Sequence, residues 1–445
     1  MNLPEARKSF WITLALVVLG GVALAFCGFY VAKADARLVN RSSQVIIARD
    51  GSRTILTMAN DYQGDVAEFA VVVPVPTVLH QDQVKVGDPV IFERIDAYSA
   101  PRLVEFFDAN PCEEARLRFE QALPMPAAPL EDSEALRRAQ ALGVTIEEQF
   151  TVGEYDILIL SAEESSGLET WLLENDYRIP QGAGEVLASY INQGMKFFVA
   201  QVNLEAFDEL GFQRLRPLMM AFESERFMLP IRLGMINAEG PQDLVVYLLS
   251  PRGRVEVANY RTVRIPSELN VPEFVAEEFP EVYAAIFQRS YQREGENVVF
   301  EEYGWDMSWC DPCAAEPLSP DELLRAGVFW LEDPDFAAPN VFLTRLHVRY
   351  TPEKFAEDLM FRVTDDRENF QGRYIMQHPY QGELTCDAAR DYVTSVRERR
   401  EREARALANA TGWEIGDIRA RMGKFEPEIQ LQPWWQRVFD TLKGS

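Results

Sequence analysis

Gln44-Val45-Ile46-Ile47-Ala48-Arg49-Asp50-Gly51-Ser52-Arg53-Thr54-Ile55-Leu56-Thr57-Met58 sets two apolar, β-branched runs on either side of Asp-Gly. Asp-Gly supplies the two positive-φ residues of a type I′ turn, so the stretch predicts a β-hairpin. Arg49 and Arg53 are its polar ends, and Val45, Ile46, Ile47, Ile55 and Leu56 lie inside the strands. The next run, Phe69-Ala70-Val71-Val72-Val73, has no polar residue and stops at Pro74, which has no amide proton for a ladder. It reads as a third strand, buried on both faces. These are sheet-core residues, and none of them carries chemistry.

Upstream of the hairpin the chain turns apolar. Arg7 and Lys8 form a short basic segment, and no charged residue occurs from Ser9 to Ala32. Roughly 20 such residues suffice to span a bilayer. Ala23-Leu24-Ala25 also has the small-x-small form of a signal-peptidase site, with a second such site at Ala32-Lys33-Ala34. Residues 1–25 are therefore expected to be a cleaved signal peptide or an uncleaved N-terminal anchor. Cys27 invites a lipoprotein reading, but Phe26 stands where a lipobox needs a small residue. Each alternative puts the bulk of the chain outside the cytoplasm, and the anchor would tether it to a membrane.

The whole chain has 445 residues, 47% of them hydrophobic and 11% aromatic, enough for real cores. Its net charge is −26. A field of that sign repels phosphate backbones and anionic lipid surfaces, so nucleic acid is not an expected partner.

Several strings together carry a likeness. Cys27-Gly28-Phe29-Tyr30-Val31-Ala32-Lys33-Ala34 is followed by the Asp50-Gly51 hairpin, Thr57-Met58-Ala59-Asn60-Asp61-Tyr62 and Val73-Pro74-Val75-Pro76. Asp96-Ala97-Tyr98-Ser99-Ala100-Pro101-Arg102-Leu103-Val104 and Trp309-Cys310-Asp311-Pro312-Cys313 come later. The chain resembles a bacterial exported family, domain of unknown function 2330, from about residue 26 to about residue 425. The resemblance implies a secreted or envelope protein. It implies no activity.

Downstream, 90–95 reads as a short strand and 98–107 as a helix. Residues 122–130, with three prolines, form a stiff connector, and 131–142 a helix with an acidic first turn. Gly153-Glu154 joins 149–152 to 155–160 as a second hairpin. Helices over 168–175 and 184–192 precede a strand at 196–202. Strands are expected at 218–222, 228–235, 244–250 and 255–260, then a helix over 272–289 that Pro280 must kink or split. Ser319-Pro320 starts another helix. Strands at 341–350 and 361–363 flank a helix at 352–359. A charged helix over 386–410, continued at 417–422, reads as a solvated face. The fold class is α+β: two β-rich mixed segments with flanking helices, 26–205 and 212–385, and a helical end at 386–425. The division falls near 122–130 or near 205–215.

One motif holds candidate chemistry. Trp309-Cys310-Asp311-Pro312-Cys313 copies the spelling of a thioredoxin active site, in which a strand leads into the pair and a helix leaves it. Pro317 is incompatible with the interior of such a helix, and the Asp311 carboxylate disfavours a thiolate. Cys310 and Cys313 are therefore the candidate structural disulfide, because exported cysteines usually pair. Of the five cysteines, Cys27, Cys112 and Cys386 allow one further bridge, and local spacing does not choose the pair. The three histidines, His80, His347 and His378, stand far apart with no second Cys-x-x-Cys, so no metal site is assigned. No nucleophile elbow, dinucleotide-binding glycine motif or P-loop occurs. With 70 acidic residues, adjacent pairs such as Glu277-Glu278 and Glu301-Glu302 arise by chance and carry no weight. No catalytic or cofactor-binding residue is assigned. The expectation is an exported envelope protein, a non-enzymatic binding or scaffold module of unknown partner; the alternative is an exported thiol-disulfide oxidoreductase using Cys310 and Cys313.

Overall fold

The computed structural model describes residues 29–32, 39–40, 43–59, 62–63, 69–112, 144–175, 182–203, 206–207, 215–236, 240–309, 311, 315–331 and 339–430. Residues 1–25, the 122–130 connector, the helix expected at 131–142, Cys27, Cys310 and Cys313 lie outside them.

The chain begins with strands β1 (Phe29–Ala32), β2 (Val39–Asn40), β3 (Ser43–Asp50), β4 (Arg53–Met58), β5 (Tyr62–Gln63), β6 (Phe69–Val75) and β7 (Val84–Val86). Helix α1 (Pro89–Ser99) and β8 (Arg102–Phe107) follow, then the hairpin β9 (Val144–Val152) and β10 (Tyr155–Ala162). Next come α2 (Ser165–Glu174), α3 (Ala183–Asn192), β11 (Lys196–Val202), β12 (Leu218–Glu223), β13 (Met228–Leu229) and β14 (Gln242–Ser250). After them run β15 (Val255–Val257), β16 (Arg261–Arg264), β17 (Leu269–Val271), α4 (Phe279–Arg293), β18 (Val298–Asp306) and α5 (Pro320–Arg325). The chain closes with β19 (Phe342–Tyr350), β20 (Leu359–Val363), β21 (Phe370–Gln371), β22 (Arg373–His378), α6 (Ala389–Thr411) and α7 (Ile415–Met422). The class is α+β.

Two sheets pack face to face. A five-stranded sheet runs β1-β6-β11-β10-β9, and a nine-stranded sheet runs β16-β18-β19-β14-β3-β4-β12-β7 with β21 beside β18. Between them lies one apolar core, to which β6 sends Val71, Val73 and Val75, β3 sends Val45 and Ile47, and β14 sends Leu244, Val246 and Leu248. The intervening residues point the other way. Ala70 and Val72 meet α2 and α3 through Leu168, Leu172 and Leu187. Ile46, Ala48, Val245 and Tyr247 meet α1 through Ile91, Phe92 and Ile95. Burial on both faces is why these strands read as continuous apolar runs. The third strand expected after the hairpin, β6, is buried as anticipated but belongs to the other sheet.

The first hairpin forms with its loop one residue later than the sequence indicates. Asp50 pairs with Arg53, and Gly51-Ser52 makes the turn. Gly51 has φ +60° while Ser52 stays on the negative side, the pattern of a type II′ turn, with glycine at the first central position. β9–β10 repeats it with Gly153 at φ +56°. There a Cβ would come within 2.6 Å of Arg216 Nη2 and 2.9 Å of Val86 Cγ2, because buried Glu154 is clamped by Arg216 at 2.8 Å.

Residues 89–107 reverse the expected order. Asp88 accepts a hydrogen bond from the Val90 amide at 3.0 Å and Pro89 opens α1, so a helix starts where a strand was expected. Pro101 follows the helix, and 102–107 pairs in parallel with β22. The helix expected at 352–359 is also replaced, by turns leading into β20. Pro280 splits its element as anticipated, into a 3₁₀ turn at Glu273–Ala276 and α4, where it sits in the first turn. Ser319 and Glu322 form a full capping box on α5.

The 26–205 and 212–385 segments interleave. The hairpin β3–β4 joins the nine-stranded sheet, β3 parallel to β14 and β4 antiparallel to β12, while β6 and β9–β11 form the five-stranded sheet. A small parallel sheet, β17-β22-β8, carries α4, α6 and α7 on its apolar face. No described helix is long and apolar enough to cross a membrane.

Candidate functional site

At the Cys-x-x-Cys motif, β18 ends at Asp306 and a turn leads to Trp309, which is exposed. The Trp305 indole donates to the Trp309 carbonyl at 3.1 Å. Trp305 packs against the core under α1 and Trp309 does not, so the turn presents one tryptophan inward. Asp311, between the cysteines, is buried and accepts from the Tyr303 hydroxyl at 3.1 Å and the Gln371 amide at 2.8 Å. Residues 315–319 are non-helical up to Pro320, the first residue of α5.

The bridge left open by the sequence joins Cys112 to Cys386, with Cα atoms 5.6 Å apart. It ties the end of β8 to the segment that enters α6. The parallel pairing of β8 with β22 brings those ends together.

The densest chemistry lies on the helix-covered face of the nine-stranded sheet. Register shifts between Glu301 and Tyr303, so Glu302 is the extra residue of a β-bulge in β18. The bulge turns both Glu302 and Tyr303 toward the helices. Glu302 Oε2 accepts from Arg345 Nε at 2.6 Å, and Oε1 accepts from His347 Nδ1 at 2.7 Å and from the Tyr283 hydroxyl of α4. His347 Nε2 reaches Asp243 at 3.3 Å, which Arg349 grips at 2.8 and 2.6 Å. At the other end Arg345 Nη1 donates to Asp96 of α1 at 2.6 Å, and the Tyr247 hydroxyl donates to the same oxygen at 2.7 Å. Phe287 stacks on His347 at 4.0 Å and closes the chain of ions from above.

Burial alone would raise the Glu302 pKa, but His347 and Arg345 overcome it and hold it at about 2. Asp243 is likewise pulled from a desolvated, raised value to about 2 by His347 and Arg349. Desolvation would lower His347, and Glu302 and Asp243 instead lift it to about 9. All three are locked in their charged forms at neutral pH. A general acid or base works best with a pKa near the operating pH. Glu301, the other half of the pair, joins Arg254 and Arg264 at 3.5 and 3.3 Å, and burial raises its pKa against them. A pair that looked accidental thus serves two ion clusters. A single extra residue opposite Arg345 is the cause, and no local signal marks it.

The remaining histidines are also held by carboxylates. His378 lies 3.0 Å from Glu273 and 2.8 Å from Glu105, and His80 lies 3.0 Å from Glu148. Among the described residues no group of side chains has the makings of a metal site.

The charged helix α6 is not simply solvated. Arg399 donates to Asp108 at 2.8 Å, beside the Tyr392 hydroxyl at 2.6 Å, and Arg400 reaches Glu273 at 3.4 Å. Glu403 is buried, and desolvation raises its pKa to about 7 against the pull of Arg399 and Arg400. Among the described residues no nucleophile hydrogen-bonds to it. Its nearest charged partner is Arg399 at 3.5 Å.

A family model described as an uncharacterized protein conserved in bacteria, domain of unknown function 2330, matches residues 22–362, and the chain belongs to that family. No curated protein and no solved structure matches the chain. The matched stretch contains the whole Glu302 ion chain and ends before β22, Cys386, α6 and α7.

Proposed function

We propose that the protein is an exported envelope protein acting as a non-enzymatic binding or scaffold module. The observation that carries the reading is the Glu302–Arg345–His347–Asp243 chain: its charges are mutually satisfied, covered by Phe287, and displaced from neutral pKa. Such a chain holds sheet and helices in one arrangement and offers a substrate no poised group. Export is supported by the apolar stretch over 9–32 and by the Cys112–Cys386 bridge, since disulfides persist in oxidising compartments. The apolar stretch would also serve as a tether if it is not cleaved. Buried Asp311 and the non-helical 315–319 favour a structural over a redox role for Cys310 and Cys313.

Two measurements test this. A reporter enzyme active only outside the cytoplasm, fused after residue 60, is expected to be active; activity confined to a cytoplasmic reporter would overturn export. In an insulin-reduction assay the reduced protein is expected to show no turnover above a Cys310→Ser control. Turnover that depends on Cys310 would make the protein an oxidoreductase.

A further inference from the structure

α6 and the end of α7 line an open groove of about 170 Å³. Arg397, Arg400 and Arg419 face it with a single carboxylate, Glu401, and Ala404, Met422 and Phe425 add apolar surface. In a chain of net charge −26 this inverts the local sign. The carboxylate does not neutralise the arginines evenly. Glu401 is taken up by Arg419 at 2.6 Å and by Arg405 at 2.7 Å, and those two guanidiniums hold its pKa at about 2. Arg400 is spent on the Met422 and Gly423 carbonyls and on Glu273. Among the described residues Arg397 uses only Nε, on the Phe425 carbonyl at 3.3 Å, so neither of its terminal nitrogens has a partner among them.

We propose that this groove binds a small soluble organic oxyanion, a phosphate monoester or carboxylate on a short apolar body. The oxyanion sits against the Arg397 fork with Arg400 and Arg419 beside it, since guanidinium geometry matches such groups bidentately. The body lies against Phe425, Met422 and Ala404. A soluble ligand is favoured over an anionic membrane because the whole molecule's charge opposes approach to an anionic surface, whereas a small anion feels mainly the local arginines. The site goes beyond the scaffold reading and does not depend on the compartment.

Titration calorimetry of the full chain with phenyl phosphate in low-salt buffer tests it. Saturable one-site binding is expected, with no heat from phenol. Arg397→Glu should weaken it at least tenfold, Arg419→Gln should weaken it less, and Arg362→Gln, on a distant strand, should leave it unchanged. Because Arg397 is exposed and holds one carbonyl, its variants should melt like the parent; Arg397→Lys, which keeps the charge and loses the fork, should give an intermediate affinity. Affinity that is equal in parent and Arg397→Glu overturns the proposal. So does the absence of saturation, or Arg397-dependent binding to anionic phospholipid vesicles without binding of phenyl phosphate.

Discussion

The ion chain under α1 and α4 and the charged helix α6 are built from the same residue types and behave oppositely. In the sheet, Glu302 meets Arg345, His347 and Tyr283 with no solvent access, and each charge is the condition for the next. On α6 the charges divide by face: Arg399, Arg400 and Glu403 turn inward to Asp108 and Glu273, while Arg397, Glu401 and Arg405 stay at the surface. The lesson is about solvent. A buried ion is committed to its partner, because losing that partner leaves an uncompensated charge; a surface ion exchanges its partner for water at little cost. The first arrangement gives rigidity, and the second keeps the Arg397 fork at the surface.

The largest expected effect breaks the buried side. Glu302→Ala strands Arg345 and His347 and should cost about 3–5 kcal/mol in denaturant unfolding. A loss within scatter would mean that the chain of ions does not hold the sheet to its helices.

Removing the bridge loosens α6 as a whole. Cys112→Ser should lower stability by about 2–4 kcal/mol under non-reducing conditions, given the long loop it closes. Addition of reductant to the parent should reproduce most of that loss.

A pH series of unfolding experiments separates the two regions further. His347 has a folded pKa above its unfolded value near 6.5, so its contribution is complete below pH 6.5 and is lost as pH rises through about 9. Glu302 and Asp243 are depressed, so theirs is present above pH 4.5 and 3.8 respectively and is lost as pH falls toward about 2. The sheet should therefore hold a plateau between about pH 4.5 and 6.5 and weaken by a few kcal/mol on either side. Glu403 runs against this plateau. Its raised pKa means that the folded state prefers the neutral acid, so stability falls as pH rises from 4.5 through about 7. Glu403→Gln should remove that slope, adding about 3 kcal/mol at pH 8 and almost nothing at pH 4. An unchanged slope would show that Glu403 is solvated.

The smallest effect is expected at the surface of α6. Glu401→Ala should leave the melting transition where it is, although it breaks contacts with Arg405 and Arg419. A large loss there would erase the distinction between the two regions.

Much of the architecture was legible in the residues. The glycine of each two-residue hairpin loop, the Ser319-Pro320 helix start, the double-faced apolar strands and the split at Pro280 all act within a few residues, so spacing reveals them. The α1–β8 reversal has a local signal too, the Asp88-Pro89 helix start, but the apolar run after it is equally strand-like. The candidate site was not legible. Residues 301 and 302 look like any adjacent acids, and their roles depend on distant partners, Arg254 and Arg264 for Glu301 and Arg345 and His347 of β19 for Glu302.

The sequence alone determined the class, the hairpins, the family likeness and the shortlist of cysteines, because φ preferences, periodicity and capping are short-range. Only the tertiary structure decided that Cys112 meets Cys386, that β6 and the first hairpin lie in different sheets, and that the bulge at Glu302 buries an ion chain while α6 leaves arginines outside. Those outcomes depend on register and on which face meets which neighbour. A single residue of shift reverses both.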